Sequence, residues 1–274
     1  MRRLNRNVVA GLALACALTS VAAPPGTSAK PRARAAIVGG GPANPMQWPY
    51  AVAIFRKGHL HCGGSVIAPT QVLTAGHCVA GFNLARFQVI VGRPNLRDLA
   101  AGQSIGVSSG RVHPDFEQTG LHDVAVLNLA QPTSAPPLAL ASPEQSAAAT
   151  VPGSRLRVAG YGATRPFGTQ LSRFLRSTVE IMRTDNRCLK AYTKDLYAPE
   201  SMLCALGAKR KKPGRFKIHT SACSGDSGGP LVADTPTGAV AVGTVSFGGA
   251  LCGLPAAPTV YSKVASSLDF INAG

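Results

Sequence analysis

The chain has 274 residues, 45 % of them hydrophobic, which is enough to bury a sizeable core and excludes a disordered polymer. Lys and Arg number 28 against 12 Asp and Glu, for a net charge of +16. The basic residues are scattered and no aromatic-interleaved stripe accompanies them, so nucleic-acid binding is not expected. The charge reads instead as solubility and weak adhesion to anionic surfaces.

Met1-Arg2-Arg3-Leu4-Asn5-Arg6 is a positive head, residues 8–18 are apolar, and Ser20-Val21-Ala22-Ala23 offers small side chains to a signal peptidase. Residues 1–23 therefore read as a signal peptide. The apolar run is too short to span a bilayer, which predicts a secreted, extracellular chain with no stable membrane anchor. Cys16 lies in that run, but Ala13-Leu14-Ala15 before it makes a poor lipoprotein signal. Residues 24–36, with Pro24-Pro25-Gly26 and Lys30-Pro31-Arg32-Ala33-Arg34, read as a flexible propeptide. Six basic residues and no acid precede residue 37, so the chain beyond it carries +10.

From Pro49 onward, short apolar runs of strand length occupy residues 50–55, 65–73, 87–91, 105–112 and 124–129, split by Gly, Pro and Asn. Residues 131–154, rich in Ala, Pro and Ser, read as a connection between two halves. Strand-like runs resume at 156–160, 175–182, 229–233, 239–247 and 259–264, and residues 263–271 form one short terminal helix. Closely spaced short strands of this kind predict an all-β barrel or sandwich. Once Cys16 leaves with the signal, six cysteines remain, and an oxidising compartment pairs them. Spacing alone leaves fifteen pairings open.

The chemistry concentrates in Ser224-Gly225-Asp226-Ser227-Gly228-Gly229-Pro230. Alone, this stretch also reads as a polar turn. A serine hydroxyl becomes a nucleophile at neutral pH only with a base to take its proton and donors to receive the oxyanion. Glycines on both sides of Ser227 let the backbone turn tightly and aim its N–H groups at a substrate carbonyl. Two further stretches supply the missing groups: Leu73-Thr74-Ala75-Gly76-His77-Cys78 a histidine, and His122-Asp123-Val124-Ala125-Val126-Leu127 an aspartate. The order His, Asp, Ser is one of those in which such a triad occurs. With Ile37-Val38-Gly39-Gly40 added, the chain from Ile37 to its C-terminus resembles the trypsin-like (chymotrypsin-fold) serine proteases. Its Ala-rich composition and few cysteines point to a bacterial source.

The resemblance implies two packed six-stranded antiparallel β-barrels and a short C-terminal helix within a protease domain of residues 37–274. The first barrel covers about 37–135 and the second about 155–274. His77 and Asp123 fall in the first and Ser227 in the second, with the active site between them. His77 serves as general base and then acid, Asp123 fixes its tautomer, and the N–H groups of Gly225 and Ser227 hold the oxyanion. The implied disulfides are Cys62–Cys78, Cys188–Cys204 and Cys223–Cys252. Family members are cut before an Ile-Val-Gly-Gly segment, and the freed amine of Ile37 then pairs with Asp226. Ala36 replaces the usual basic residue there, so the cut falls after Ala or a neighbouring cut is trimmed.

Ser221, six residues before the nucleophile, matches the floor of the primary specificity pocket, and Gly248 and Thr259 match its walls. Ser246-Phe247-Gly248 pairs with the substrate backbone as an added strand. A neutral floor cannot compensate a buried Arg or Lys. Cleavage after small to medium apolar residues through an acyl-enzyme is therefore expected. The alternatives are trypsin-type cleavage after Arg or Lys and a cationic, non-catalytic homologue that binds polyanions. Expected partners are protein or peptide substrates and protein inhibitors; a monomer without cofactor or metal is implied. The family's calcium loop matches residues 92–98, where Asp98 is the one carboxylate, so no calcium site is expected. A metal reading of His59, His61, Cys62, His77 and Cys78 is disfavoured by irregular spacing and by oxidation of the thiols. His59, His61 and His113 read as ordinary surface or loop residues, and His122 as facing away from Asp123's side of a strand. The basic segment 209–217 reads as a solvated insertion, with docking of acidic substrates as the alternative.

Overall fold

A computed structural model describes residues 37–209 and 218–273. The expected signal peptide, the propeptide and most of the basic segment lie outside the described residues. Strand β1 (Gly41–Pro42) precedes a closed barrel of β2 (Ala51–Arg56), β3 (His59–Ala68), β4 (Gln71–Thr74), β5 (Phe87–Val91), β6 (Gln103–Val112) and β7 (Ala125–Leu129). These pair in the order β2-β3-β4-β7-β6-β5, antiparallel throughout. The turn between β2 and β3 is Lys57-Gly58, both at positive φ, the geometry that suits a tight two-residue hairpin. Alternation writes the inward face of β6, where Ile105 and Val107 are buried between exposed neighbours.

Beyond β8 (Ala139–Leu140), six strands close a second barrel: β9 (Arg155–Gly160), β10 (Arg176–Met182), β11 (Met202–Gly207), β12 (Pro230–Thr235), β13 (Gly238–Phe247) and β14 (Thr259–Lys263). Their order is β10-β11-β14-β13-β12-β9, and the β9–β10 pairing completes the ring. Closure leaves neither barrel a free edge. Residues 240–246 of β13 are all buried, because this strand lines both its own barrel and the junction with the first. The expected pair of antiparallel six-stranded barrels with a short C-terminal helix, α4 (Leu268–Asn272), is what the chain forms. Only the two-residue β8 runs parallel to its neighbour, β13.

Three earlier helices break the all-strand expectation. They are α1 (Pro114–Thr119), α2 (Pro143–Ala149), which lies in the expected connection, and α3 (Asp185–Leu196), which kinks at Thr193. Each starts at a side-chain cap, from His113, Ser142 and Thr184. The expected strand 65–73 is two strands, because Pro69 and Thr70 turn the chain between β3 and β4.

The two ends of the described chain cross over. Ile37 is buried in the core of the second barrel, β1 pairs with β10, and the Arg176 guanidinium donates to Gly40 O. At the other end Val264 and Ile271 join the core of the first barrel, and Arg111 Nη2 donates to Ile271 O at 2.7 Å. The expected boundaries at 37–135 and 155–274 therefore miss this exchange. Ile271 is 1 % exposed. Ile271→Ala is expected to cost roughly 2–5 kcal/mol of stability, read from urea unfolding midpoints.

Candidate active site

The turn after β4, residues Gly76–Cys78, carries His77 and is tied to β3 by the Cys62–Cys78 disulfide. Asp123, just before β7, is 3 % exposed and receives three donors. The His77 backbone N–H reaches Oδ1 at 2.8 Å, and the His77 ring Nδ1–H reaches Oδ2 at 2.7 Å. The third is the Ser246 hydroxyl, which arrives from β13 at 2.6 Å. With its proton on Nδ1 facing the carboxylate, the imidazole keeps a bare Nε2. The His77 side chain is 39 % exposed, so that nitrogen opens to the groove. Gly76 cannot carry a side chain, since a Cβ there would lie 2.9 Å from the Phe116 ring.

The second barrel presents Ser227. Its carbonyl accepts from Gly63 N–H of β3 at 2.8 Å, which fixes the nucleophile segment against the first barrel. Cys78 Sγ lies 3.7 Å from His77 Nε2 and 3.8 Å from Ser227 O, so both residues flank one sulfur. Ser227 Oγ closes no hydrogen bond to His77 among the described residues. Such bonds commonly shorten only when substrate is present. Around Ser227 the backbone turns through Gly225 (φ 89°) and Gly228 (φ 78°), the left-handed region that favours glycine. Among the described residues, neither the Gly225 nor the Ser227 N–H has an acceptor. Two unpaired N–H groups flanking a serine hydroxyl form an anion-binding concavity.

Asp226 turns the other way, into the second barrel, and is fully buried. Oδ1 accepts from Gly162 N–H at 2.7 Å and Oδ2 from Cys223 N–H at 2.9 Å. Burial pushes its carboxyl up to about 7, against the pull of those bonds. A Cβ on Gly160 or Gly162 would occupy the space of this carboxylate. Ile37 is also fully buried, but no hydrogen bond joins it to Asp226 among the described residues, and it is still peptide-bonded to Ala36. Val38 O accepts from Ser221 N–H at 3.1 Å.

Beside Ser227 lies a cavity of about 150 Å³ whose lining includes Ser221, Phe247, Gly248, Ala257 and Thr259. At its end Ser221 Oγ donates to Ala222 O and stands 2.8 Å from Thr259 Oγ1, so the threonine hydroxyl donates within that pair. Gly248 leaves the mouth open; a Cβ there would be 3.9 Å from the nearest atom, Thr259 Cα. The Tyr192 ring stands edge-on to Phe247 at 5.3 Å, and Cys223–Cys252 braces the wall. Cys188–Cys204 joins α3 to β11, which completes the expected pairing. One buried acid was not foreseen. Glu180 of β10 accepts the Ala222 N–H at 2.9 Å from behind the pocket.

The other histidines depart from expectation. His113 is buried, not a surface residue: it caps α1 and stacks on His122 at 4.5 Å. His122 sits before β7 at φ 52° and not on the strand, with Nδ1 3.1 Å from Ser267 Oγ. His61 is half-buried, bonded through Nε2 to Cys78 O at 2.9 Å. Cys62, His77 and Cys78 cluster closely enough to suggest a metal, but the disulfide removes both thiolates.

A family profile described as Trypsin matches residues 37–271, and the chain belongs to that family of serine proteases. It is 33 % identical over 244 residues to "Trypsin" of Saccharopolyspora erythraea, covering 87 % of this chain and 99 % of that protein. Over 253 residues it is 32 % identical to human "Kallikrein-2", covering 87 % and 89 %. A third relative, 32 % identical over 236 residues, is "Glucanase inhibitor protein 4" of Phytophthora infestans, with 83 % and 86 % covered. Among the described residues no helix is long and apolar enough to cross a membrane.

Burial raises both Asp226 and Glu180, the latter to about 8. The folded, uncut chain thus binds protons that the unfolded chain has released, and stability falls as pH rises from about 4 to about 8. For the Ser227→Ala full-length chain, urea unfolding is expected to show a loss of at least about 2 kcal/mol between pH 5 and pH 8. A midpoint that rises across this window would contradict the assignment.

Proposed function

We propose that this chain is a secreted serine endopeptidase, made as an inactive precursor, that cleaves after small to medium apolar residues. The observation carrying the reading is the buried Asp123 holding the imidazole through Nδ1, so that a bare Nε2 is left in the groove beside Ser227. His77 Nε2 takes the Ser227 proton as Oγ attacks the scissile carbonyl. The oxyanion settles on the Gly225 and Ser227 N–H groups, and the imidazolium then protonates the leaving amine. Water, deprotonated by the same nitrogen, releases the acyl group. Asp123 stabilises the imidazolium, and Ser246 keeps the carboxylate aimed.

The hydroxyl floor formed by Ser221 and Thr259 supports the specificity. It presents no ion to a cationic side chain, whose desolvation then has no compensation. Phe247 and Gly248, at the end of β13, are the positions that pair with substrate backbone. Activation follows from Asp226. Cutting before Ile37 creates an ammonium close in sequence to Val38, which already rests on Ser221, and pairing it with the buried carboxylate removes an expensive isolated group. Ala36 itself suits the pocket, so the enzyme can cut its own precursor. The predicted leader and the three disulfides are consistent with an extracellular site of action.

An organophosphonate probe is expected to label the processed protein and to fail on Ser227→Ala. Labelling that persists in that variant, or none in either, overturns the enzyme reading in favour of a non-catalytic homologue. Among amide substrates, Ala- and Val-ending peptides are expected to exceed Arg- and Lys-ending ones in kcat/KM. Activity should decline at alkaline pH as the Ile37 amine loses its proton, and acetylation of that amine should abolish it.

A further inference from the structure

Glu180 is a buried acid with no part in the triad or the oxyanion site. It sits on β10 opposite Leu156 of β9 and Gly207 of β11, neither of which titrates, and it is 0 % exposed. Its Oε1 accepts the N–H of Ala222, the residue after the pocket floor. Its Oε2 has no hydrogen-bond partner, an arrangement proteins seldom tolerate without use. The Tyr261 hydroxyl from β14 stands beside both Glu180 and Thr259 without closing a hydrogen bond to either. Thr259 in turn bonds Ser221. A line of polar groups therefore runs from the pocket end through Ser221, Thr259 and Tyr261 to the carboxyl behind it.

We propose that Glu180 is a specificity-determining residue of the primary pocket: from behind the hydroxyl floor its charge state sets the balance between neutral and cationic substrate side chains. This rests on the endopeptidase reading above. The carboxyl is the acid directly bonded to a residue of the pocket end, and the floor itself carries no ion to screen it. When protonated, Glu180 leaves the pocket neutral and an apolar side chain favoured. When ionised, it sets a negative charge behind Ser221 and Thr259, where a substrate ammonium or guanidinium finds a counter-charge across two hydroxyl dipoles.

Three charged or titratable groups face it. Tyr261 lies beside it, Asp226 opposes a second negative charge, and Arg183 at the end of its own strand region favours one. Burial outweighs the rest and lifts the Glu180 carboxyl to about 8, so its charge changes near the pH at which such an enzyme is assayed. The sign follows directly. Below about 8 the neutral form dominates, and above it the anion does.

The test compares kcat/KM for Arg-ending and norleucine-ending amides that are otherwise identical, at pH 7 and pH 9. Loss of the Ile37 ammonium at high pH acts on both substrates alike and cancels in the ratio. The Arg-to-norleucine ratio is expected to rise at least about 3-fold over that interval in the processed protein. It should stay flat in Glu180→Gln, which keeps the acceptor for Ala222. A flat ratio in the unaltered protein, an equal rise in Glu180→Gln, or no detectable Arg cleavage at any pH up to 9 overturns the proposal. Should Glu180→Gln fail to fold, the profile of the unaltered protein still decides. Failure to hydrolyse either amide would instead sink the endopeptidase reading itself, and this inference with it.

Discussion

The site depends on one buried carboxylate that is contacted from both barrels. Asp123 accepts from the backbone and ring of His77 in the first barrel and from Ser246 in the second. A charge so deep is tolerated only with full hydrogen bonding, so the two barrels are held in one relative position by the electrostatic demand of a single group. That demand also selects the imidazole tautomer. The neighbouring pieces follow: Gly63 clasps the Ser227 carbonyl, and the Cys62–Cys78 bridge holds the histidine turn against the same strand. The two halves share apolar contacts as well, since Ala159, Tyr161 and Val232 of the second barrel join the core of the first.

Asp226 and Glu180 stand in contrast. Both are fully buried, and each receives fewer donors than it can accept. Each is therefore shifted toward its protonated form by loss of hydration. Asp123 shows how this fold places an acid it needs charged; the other two show acids whose charge awaits an event. For Asp226 the proposed event is the arrival of an ammonium. For Glu180 it is a rise in pH. The pocket end between them is built of hydroxyls, groups that can turn their dipoles toward either sign.

Much of this was legible in the sequence because the motifs are local. His77, Asp123 and Ser227 sit in short stretches whose neighbours have visible purposes: Gly76 makes room for Phe116, and Gly225 and Gly228 adopt positive φ. The strand at 87–91 could be read from its apolar run to the residue. What was missed lacks a local signature or was overruled by one. β11 is buried along its whole length and shows no alternation. α2 had a signal that went unread, a capping box between Ser142 and Gln145 with Pro143 at its first turn. Glu180 stands among Thr178, Val179 and Ile181 like an outward residue of an exposed strand, and only barrel closure turns it inward. His113 was misjudged for the same reason, because its burial depends on His122 and on Phe270 from the far end of the chain.

The exchanged ends have a mechanical meaning. Residues 37–42 belong to the barrel built from the later half of the sequence, while residues 264–272 clasp the barrel built from the earlier half. Neither half is complete on its own stretch of chain. Severing the link at residues 131–154 would not yield two autonomous modules but two halves each missing a piece carried by the other. The molecule is in that sense a pair of interlocked hands, and a groove laid between them can bear the pull of a long polypeptide without the palms sliding apart.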